Sequence, residues 1–181
     1  LGPSGSGKTT LLAIMAGLDL PSRGSVKLLD KEITSLNEDK RAQIRSKDVG
    51  FVFQSFHLLP RLSALDNVMM PLEILGAKDA KERALKALDE VGLSKRTGHV
   101  PHQLSGGEKQ RVAIARAMVK APSILFADEP TGNLDQSSTD NILELLLGIN
   151  KQTKTTLVVV THDQQLASRS DMVFELQEGK L

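Results

Sequence analysis

The chain has 181 residues, of which 40% are hydrophobic and 25% charged; these values fit one globular domain with a sizeable core and exclude intrinsic disorder. Its 23 lysines and arginines nearly balance 22 aspartates and glutamates, so the net charge of +1 argues against a nucleic-acid partner and against a polybasic membrane anchor. The absence of cysteine from the sequence excludes disulfides and thiolate metal sites.

The first residues of the chain match a phosphate-binding pattern. The P-loop pattern requires a glycine, four further residues and then Gly-Lys-Thr, and residues 2–9 satisfy every fixed position. Such glycines turn backbone N–H groups toward phosphates, the lysine reaches the β- and γ-phosphates, and the threonine hydroxyl binds Mg²⁺. A glycine-rich turn before a helix would explain the glycines but not Lys8 and Thr9. We therefore predict a nucleotide site formed by Gly2, Pro3, Ser4, Gly5, Ser6, Gly7, Lys8, Thr9 and Thr10.

A P-loop normally follows a buried strand, yet only Leu1 precedes the loop in this sequence. We therefore expect an N-terminally truncated chain, a fragment of a longer polypeptide, that forms a single domain over residues 1–181. Beyond the loop, apolar and turn residues predict a helix over residues 9–17 and short antiparallel strands over residues 24–29 and near Ile33.

Charge spacing predicts a helix over residues 38–45, and the dense apolar run at residues 49–53 predicts a buried strand that leads into Gln54. A polar residue at the carboxyl end of such a strand is placed to reach a ligand. The alternative is a glutamine that satisfies nearby backbone groups. We favour the ligand-facing role for Gln54.

A loop rich in large apolar residues follows, and Pro60 interrupts it. Such a cluster is either an edge of the core or a docking surface for another protein. We favour docking, with His57 as part of that surface rather than as a ligand or a base. The apolar residues of the loop are Phe56, Leu58, Leu59 and Leu62.

Apolar residues at helical spacing predict two helices, over residues 64–70 and 80–91, within a helical subdomain inserted at about residues 60–115. The charges at residues 78–83 are expected to form a solvated face. A polar linker over residues 94–103 leads from these helices into the next motif.

Residues 104–111 read Leu-Ser-Gly-Gly-Glu-Lys-Gln-Arg and open a helix that continues to Val119. The start of a helix offers free backbone N–H groups to an anion, and Ser105, Gly106 and Gly107 allow close approach. The segment lacks a lysine that points at an anion and a metal-binding hydroxyl, so alone it forms half of a phosphate site. We expect a head-to-tail dimer, in which this segment closes over the nucleotide held by the other subunit.

The rest of this helix combines apolar and charged positions. Its apolar residues are Val112, Ile114, Ala115 and Met118. We expect Lys109, Arg111 and Arg116 on the more solvated side of the helix.

The buried strand predicted over residues 124–129 ends in two carboxylates, Asp128 and Glu129. Burying carboxylates destabilises a fold unless they are hydrated, paired or bound to a metal. Because side chains alternate along a strand, the two suit different tasks. We predict that Asp128 holds Mg²⁺ through water and that Glu129 polarises the attacking water as general base, in preference to both capping the next turn.

Asp135 is placed to cap a helix predicted over residues 137–152. A second buried strand, over residues 156–161, ends at His162, again at a carboxyl end where open α/β sheets bind ligands. The alternative for His162 is a histidine of the core. The predicted elements end with a helix and a strand, over residues 164–169 and 172–176.

The motif at residues 104–111 resembles the signature motif of the ATP-binding cassette (ABC) ATPases, and the chain resembles that family from end to end. Within the family it is similar to bacterial ATPases of the lipoprotein-release and macrolide-export (MacB-like) group, through residues 53–60 and 127–135. The resemblance implies a P-loop NTPase (RecA-like) α/β sheet layered with helices, with a small antiparallel β part and an inserted helical subdomain.

The resemblance also implies roles for individual residues. Gln54 would be the Q-loop glutamine, which touches Mg²⁺ and the attacking water and senses the γ-phosphate. His162 would be the H-loop histidine, which hydrogen-bonds the γ-phosphate and orients the water, and Asp135 would be the D-loop aspartate that crosses the dimer interface. The aromatic residue that stacks on adenine in this family lies upstream, and this sequence contains no Tyr or Trp.

The implied function is hydrolysis of ATP with Mg²⁺, which powers a transmembrane permease subunit through dimerisation of two copies of the chain. No apolar run approaches the ~20 residues that cross a bilayer, so the permease would be a separate chain. We expect the ATPase in the cytoplasm, peripheral on the inner face of the plasma membrane. The alternatives are an ABC ATPase of a regulatory, cell-division-type membrane complex and a soluble non-transport ABC ATPase, which would need a coiled-coil insertion, a second cassette or basic arms.

Overall fold

The structure, a computed structural model, describes residues 1–3, 5–177 and 179–180. Most of the predicted helices and strands form, with ends shifted by a few residues. In chain order they are α1 (Lys8–Met15), β1 (Lys27–Leu28), β2 (Lys31–Glu32), α2 (Glu38–Asp48), β3 (Val49–Phe53), α3 (Ala64–Ile74), α4 (Ala80–Glu90), α5 (Gly106–Met118), β4 (Ile124–Asp128), α6 (Gln136–Thr153), β5 (Thr156–Val160) and α7 (Gln164–Ser168). No helix in the described part of the chain meets the length and hydropathy that a bilayer span requires.

Strands β3, β4 and β5 form a parallel sheet with β4 in the middle, and β1 pairs with β2 in a separate antiparallel sheet. The register places Phe53 beside Asp128 and Asp128 beside Val160, so the three parallel strands end at one edge. Gln54 and Glu129 directly follow the first two of these strands. This edge therefore collects the polar residues on which the predicted site depends.

The two faces of the parallel sheet pack against different helices, because side chains alternate along β4. Phe126 packs on one face with Leu12 of α1 and with Ala16, which directly follows that helix. Leu125 and Ala127 pack on the opposite face with residues of α5 and α6, namely Ile114, Ala117, Ile142 and Leu146. The result is a sheet layered with helices, in which each fully buried large apolar side chain contributes ~1.5–3 kcal/mol to folding.

A further apolar core lies among helices α3, α4 and α5. Its fully buried residues include Val68 and Leu72 of α3, Leu88 of α4 and Val112 of α5. Helix α5 packs on two sides, since Val112 belongs to this core and Ile114 to the core beneath the sheet. Helix α5 is therefore shared between the sheet and the helical region.

The sequence predicts a strand over residues 172–176, and the described structure shows that this prediction is wrong. The N–H of Leu176 donates to the carbonyl of Leu1 at 2.7 Å, and the amino group of Leu1 donates to the carbonyl of Phe174 at 2.6 Å. Hydrogen bonds to a single residue make too short a ladder for a strand. Met172 and Phe174 are 71% and 59% exposed, so the apolar run that suggested burial lies at the surface.

Candidate functional site

The P-loop leads into α1 through tight turns at glycines. Gly7 has a φ of +94°, in the left-handed region that glycine adopts without strain, and it forms the N-cap of α1. Because glycine offers no capping side chain, the first N–H groups of α1 are left for another acceptor. A side chain at Gly2 would place its Cβ 2.4 Å from the carbonyl oxygen of Leu176, so close packing requires glycine there too. Ser4 lies outside the described residues.

Lys8 folds back over the P-loop. Its Nζ atom donates to the carbonyls of Gly2 and Pro3, both at 2.8 Å, and lies 3.9 Å from Oε1 of Glu129. In the same loop, the buried hydroxyl oxygen of Ser6 has no hydrogen-bond partner among the described residues. The loop thus holds the charged amino group of Lys8. A phosphate oxygen can replace the two carbonyls as acceptor of its charge-assisted hydrogen bonds.

Thr9 connects the start of α1 with the end of β4. Its hydroxyl donates to Oδ1 of Asp128 across 3.3 Å. Two oxygen atoms from different elements therefore converge at the edge of the sheet. Hydroxyl and carboxylate oxygens are ligands that Mg²⁺ accepts, usually beside substrate phosphates and water.

Glu129 has an unusual backbone conformation. Its φ is +44°, in the left-handed region, and its N–H donates to the carbonyl of Val160 at 2.9 Å, which fixes it beside β5. Such strain costs about 1–3 kcal/mol and persists where the surroundings hold it, often at functional sites. Oε2 of Glu129 lies 2.9 Å from Nδ1 of His162. This buried oxygen has no hydrogen-bond partner among the described residues.

Eight of the predicted nucleotide and catalytic residues line one cavity of about 680 Å³. This volume lies within the range of ligand sites, ~300–1,000 Å³. Glu129 directs one carboxylate oxygen toward Lys8 and the other toward His162. The cavity is lined by Gly5, Gly7, Lys8, Thr9, Thr10, Gln54, Glu129 and His162.

Ser105, Gly106 and Gly107 do not line this cavity. Ser105 caps α5 through a reciprocal pair: its Oγ accepts from the N–H of Glu108 at 3.2 Å, and Oε2 of Glu108 accepts from the N–H of Ser105 at 2.8 Å. The bond from the Ser105 N–H is the main cause of the lowered pKa of Glu108, which burial opposes and Arg96 supports. Two of the N–H groups expected to be free are therefore engaged. The Ser105 hydroxyl accepts in its bond, so its O–H stays available as a donor.

Asp135 caps helix α6, as the sequence predicts. Its Oδ1 accepts from the N–H of Ser138 and its Oδ2 from the hydroxyl of Ser138, both at 2.9 Å, and the backbone bond is the main cause of the lowered pKa of Asp135. The start of α5 packs against this turn. A Cβ at Gly107 would lie 2.9 Å from Oγ of Ser138, and one at Gly106 would lie 3.3 Å from Cδ2 of Leu134. The two glycines therefore let the segments at Ser105 and Asp135 lie side by side.

Gln54 contacts the turn that follows β4. Its backbone carbonyl accepts from Nδ2 of Asn133 at 3.1 Å, and a Cβ at Gly132 would lie 2.7 Å from its Nε2 atom. Gln110 of α5, which is fully buried, reaches the same turn and donates from Nε2 to the carbonyl of Pro130 at 2.6 Å. The turn is thus held between the end of β3 and helix α5.

Sequence patterns miss two residues that organise this region, Asn67 and Arg116. Arg116 is half-buried, as are Lys109 and Arg111, so it lies on the less buried side of α5 as predicted, but its guanidinium also donates to the backbone carbonyls of Phe56 and His57. Asn67 is fully buried and bonds the backbone of the loop before α3. The available signal for Arg116 is its position four residues after Val112, on a face that is otherwise apolar.

Comparison of the sequence with known protein families identifies the family to which the chain belongs. Residues 1–132 match the sequence profile described as ABC transporter. The chain belongs to the ABC transporter family. The matched stretch includes the P-loop, β3, α5 and β4, while Asp135 and His162 lie beyond its end.

Curated ABC transporter relatives align with the whole chain. The lipoprotein-releasing system ATP-binding protein LolD of Legionella pneumophila (strain Paris) is 52% identical over 183 residues, covering 100% of this chain and 81% of the relative. The uncharacterized ABC transporter ATP-binding protein YbbA of Escherichia coli (strain K12) is 52% identical over 183 residues, covering 100% of this chain and 80% of the relative. The predicted resemblance to ATP-binding subunits of ABC transporters is confirmed.

Solved ABC structures confirm the fold. The ATP-binding cassette MJ0796, described as dimeric and in a post-hydrolysis state bound to ADP and Pi, has a TM-score of 0.89 and 41% sequence identity, covering 98% of this chain and 79% of that chain. The P-loop α/β fold predicted from the sequence is therefore correct. The chain is a nucleotide-binding ATPase subunit of an ABC transporter, a class that works as paired cassettes with a membrane subunit.

Proposed function

We propose that the P-loop cavity hydrolyses ATP with Mg²⁺ and that Glu129 is the general base. The observation that carries this proposal is the Glu129 carboxylate itself, which lies between Lys8 and His162 and has one buried oxygen without a hydrogen bond among the described residues. Such an oxygen is costly unless a ligand or a water molecule satisfies it. The attacking water is a suitable partner, and a general base accepts its proton.

In this proposal the phosphates bind to the start of α1 and to Lys8. The first N–H groups of α1 have no side-chain cap and are oriented toward an anion. Lys8 exchanges the carbonyls of Gly2 and Pro3 for oxygens of the β- and γ-phosphates. Ser4 is included through the P-loop pattern alone. The remaining residues of the nucleotide site are Gly5, Ser6, Gly7, Thr9 and Thr10.

Thr9 and Asp128 would hold Mg²⁺, Asp128 through water. Their oxygens lie 3.3 Å apart beside the cavity, and oxygen is the donor that Mg²⁺ requires. Among the described residues, no group of three or more His, Cys, Asp or Glu side chains could hold a metal alone, which suits a cation that also needs nucleotide phosphates. When bound, Mg²⁺ would supply positive charge that neutralises the phosphates. Gln54 lines the same cavity and is the third protein group that we assign to the cation.

Gln54 and His162 flank the reacting phosphate in this proposal. Gln54 follows the end of β3 and His162 lies beyond the end of β5, and both line the cavity. Gln54 holds the attacking water, and His162 hydrogen-bonds the γ-phosphate and orients that water. The 2.9 Å distance from His162 Nδ1 to Glu129 Oε2 supports this role, because it places the histidine next to the proposed general base.

We also propose that two copies of the chain pair head to tail around ATP. Ser105, Gly106 and Gly107 of each copy complete the cavity of the other, and Asp135 crosses the same interface. The support is that these residues form a capped helix start outside their own cavity while N–H and O–H donors remain for an anion. The likeness to a dimeric cassette is further support.

The membrane subunit is proposed to dock on the loop between Gln54 and α3. Leu59 is 40% exposed in this loop, while Leu58 packs partly against the core of α3, α4 and α5. The ATPase then lies in the cytoplasm, peripheral on the inner face of the plasma membrane. Similarity over the whole chain to a lipoprotein-releasing ATPase supports a transporter of the lipoprotein-release and MacB-like group.

We assign residues 1–181 to a single ABC ATPase domain with a helical subdomain at about residues 60–115. The apolar core shared by α3, α4 and α5, separate from the cores on the sheet, supports this division. Helix α5 joins the two parts, because it contributes to both kinds of core.

The variant Glu129→Gln tests the general base, because the amide keeps the shape of the side chain but accepts no proton. We expect ATP turnover to fall by ~10²–10⁴, while ATP binding remains. Glu144→Gln is the matched control, since it removes a carboxylate of α6 that pairs with Arg169 outside the cavity. Steady-state hydrolysis by Glu129→Gln within a few-fold of that control would contradict the assignment.

A further inference from the structure

The segment that follows Gln54 contains two consecutive strained residues. Phe56 and His57 have φ values of +61° and +48°, both left-handed, and neither is glycine. Their own N–H groups make only short-range bonds, to the carbonyls of Phe53 at 3.2 Å and Ser55 at 2.6 Å. L-residues rarely adopt this region in succession, so a group from elsewhere in the fold that bonds both residues stabilises the pair.

That group is Arg116 of α5. Its Nη1 atom donates to the carbonyl of His57 at 2.6 Å and its Nη2 atom to the carbonyl of Phe56 at 2.9 Å. The planar guanidinium matches two adjacent acceptors, and bonds from a charged donor are stronger than neutral ones. Burial lowers the pKa of the Arg116 guanidinium by removing water from the cation, so these carbonyls replace part of its hydration.

The position of Arg116 on α5 links two parts of the proposed ATP site. Helix α5 begins at the Ser105 cap, which the proposed dimer places on the nucleotide of the other subunit. The segment that Arg116 holds begins two residues after Gln54, which lines the cavity of its own subunit. The Arg116 guanidinium therefore joins two parts of the proposed dimer. One is α5, whose start is proposed to contact the nucleotide of the other subunit, and the other is the loop next to Gln54, which lines the cavity of its own subunit.

We propose that Arg116 is a positioning residue of this ATPase: it fixes Phe56 and His57, and through them it couples the orientation of α5 to the position of Gln54. This inference rests on the proposed roles of Gln54 and Ser105. Arg116 does not line the cavity, so it acts on the reaction only through the loop.

The other end of the loop is held independently. The buried side chain of Asn67 accepts from the N–H of Leu59 at 2.8 Å and donates to the carbonyls of Leu59, Leu62 and Ser63. Residues 59–63 are thus fixed to α3, while residues 56 and 57 are fixed to α5. Loss of Arg116 therefore frees the junction next to Gln54 and leaves the rest of the loop in place.

Arg83 offers a matched control. Its Nη2 atom donates to the carbonyl of Val119 at 2.9 Å, which joins α4 to the end of α5 by the same type of bond. Arg83→Met and Arg116→Met remove the same chemical group and the same kind of contact. Only Arg116→Met removes contacts from the loop next to Gln54.

The first measurement is amide hydrogen exchange in the full-length ATPase. We expect Arg116→Met to accelerate exchange of peptides covering residues 54–58 on the order of tenfold, because it removes two charge-assisted bonds. Peptides covering residues 59–63, held by Asn67, should change little. Arg83→Met should leave both regions as in the parent protein. Equal exchange at residues 54–58 in the two variants overturns the proposal.

The second measurement separates binding from turnover. We expect Arg116→Met to leave the Kd for ATP within about twofold, because the P-loop holds the phosphates, and to lower kcat about tenfold relative to Arg83→Met. If Glu129→Gln behaves as expected but Arg116→Met and Arg83→Met have equal kcat, only the present inference fails. If Glu129→Gln keeps its turnover, the proposed site itself fails.

Rescue variants test whether conformation is the cause. Arg116→Lys should recover most of the lost kcat, since Lys120 shows that one amino group can donate to two successive carbonyls, those of Arg45 and Ser46, both at 2.7 Å. His57→Gly in the Arg116→Met background should recover part of it, because glycine adopts a positive φ without strain. Failure of both rescues overturns the proposal. If Arg116→Met does not fold, Arg116→Gln against Arg83→Gln is judged by the same criteria.

Discussion

The P-loop and the segment at Ser105 are both glycine-containing helix starts, but the protein completes them differently. Helix α1 begins at Gly7 without a side-chain cap, and Lys8 beside it lines the cavity. Helix α5 begins at Ser105 with a reciprocal cap to Glu108. The first helix start is left open for an anion, whereas the second is already stabilised by its own chain.

This difference indicates how the two segments divide the work. An open helix start with a lysine is suited to bind phosphate by itself, so we expect α1 to supply most of the affinity for the nucleotide. A capped helix start packed against the turn at Asp135 is rigid and contributes few additional donors. Such a surface suits the completion of a site that already holds its ligand, which is the role that a head-to-tail dimer gives it.

The strongest test of this division mixes two inactive variants. Lys8→Ala disables the P-loop half of a site, and Ser105→Arg disables the half supplied by the other subunit. In a mixed dimer both defects fall on one composite site and the other stays intact. Random pairing should therefore restore about a quarter of parental ATPase activity, since half of the dimers are mixed and each has one working site.

A second mixture is the control for that experiment. Lys8→Ala and Glu129→Gln both disable the same half of a site, so every composite site in their mixed dimer carries one defect. We expect no recovery of ATP hydrolysis in this mixture. Equal recovery in both mixtures, or none in the first, would contradict the head-to-tail arrangement.

Much of the fold, and the P-loop half of the nucleotide site, can be predicted from local patterns in the sequence. The strands at residues 49–53 and 124–128 are short apolar runs, and their ends place Gln54 and Asp128 at one edge of the sheet. The P-loop is a contiguous motif, and the Asp135 cap needs only residues one turn away. These features depend on neighbours in the chain, which a sequence displays directly.

Features that depend on distant residues could not be predicted in this way. Arg116 bonds a carbonyl 59 positions away, and nothing in the local pattern of α5 indicates that acceptor. The left-handed φ of Glu129 is set by its bond to Val160 on another strand. Residues 172–176 show the opposite case. Their apolar sequence predicts a strand, but the described structure gives them no sufficient partner strand.

The loop between Gln54 and α3, on which the membrane subunit is proposed to dock, provides a test with a smaller expected effect. Substitutions in this docking loop should weaken assembly with the membrane subunit without affecting the P-loop. Leu59→Ser removes an apolar side chain that is 40% exposed, and we expect it to weaken association with the membrane subunit several-fold, since the apolar area buried in the interface is lost. Its affinity for ATP should stay unchanged. Co-purification with the membrane subunit and nucleotide titration measure the two properties.

Leu85→Ser is a closely matched control for the docking loop. Leu85 lies on α4 and is also 40% exposed, so the substitution removes the same side chain at the same exposure away from the loop. We expect association of this variant with the membrane subunit to equal that of the parent. If Leu59→Ser and Leu85→Ser behave alike, the apolar loop belongs to the fold and not to the interface.

The smallest effect is expected at the Ser105–Glu108 cap of helix α5. The lowered pKa of Glu108, caused mainly by the N–H of Ser105, means that its charged form is favoured in the folded state. This contribution is present above the ordinary carboxyl pKa of 4.5 and is lost as the pH falls through the lower folded-state pKa. Glu108→Gln keeps an oxygen for the Ser105 N–H but removes the charge next to Arg96.

We therefore expect Glu108→Gln to be less stable than the parent by about 1 kcal/mol or less at pH 7, with a difference that shrinks as the pH falls below the ordinary carboxyl pKa. Urea unfolding at several pH values measures this. Glu90→Gln is the control, because its partner Lys86 is exposed at 3.9 Å and the pair contributes little. ATP binding by the isolated subunit should not change in either variant. A loss of ATP binding in Glu108→Gln would mean that the capped helix start serves the nucleotide of its own chain, which would reverse the distinction between the two helix starts.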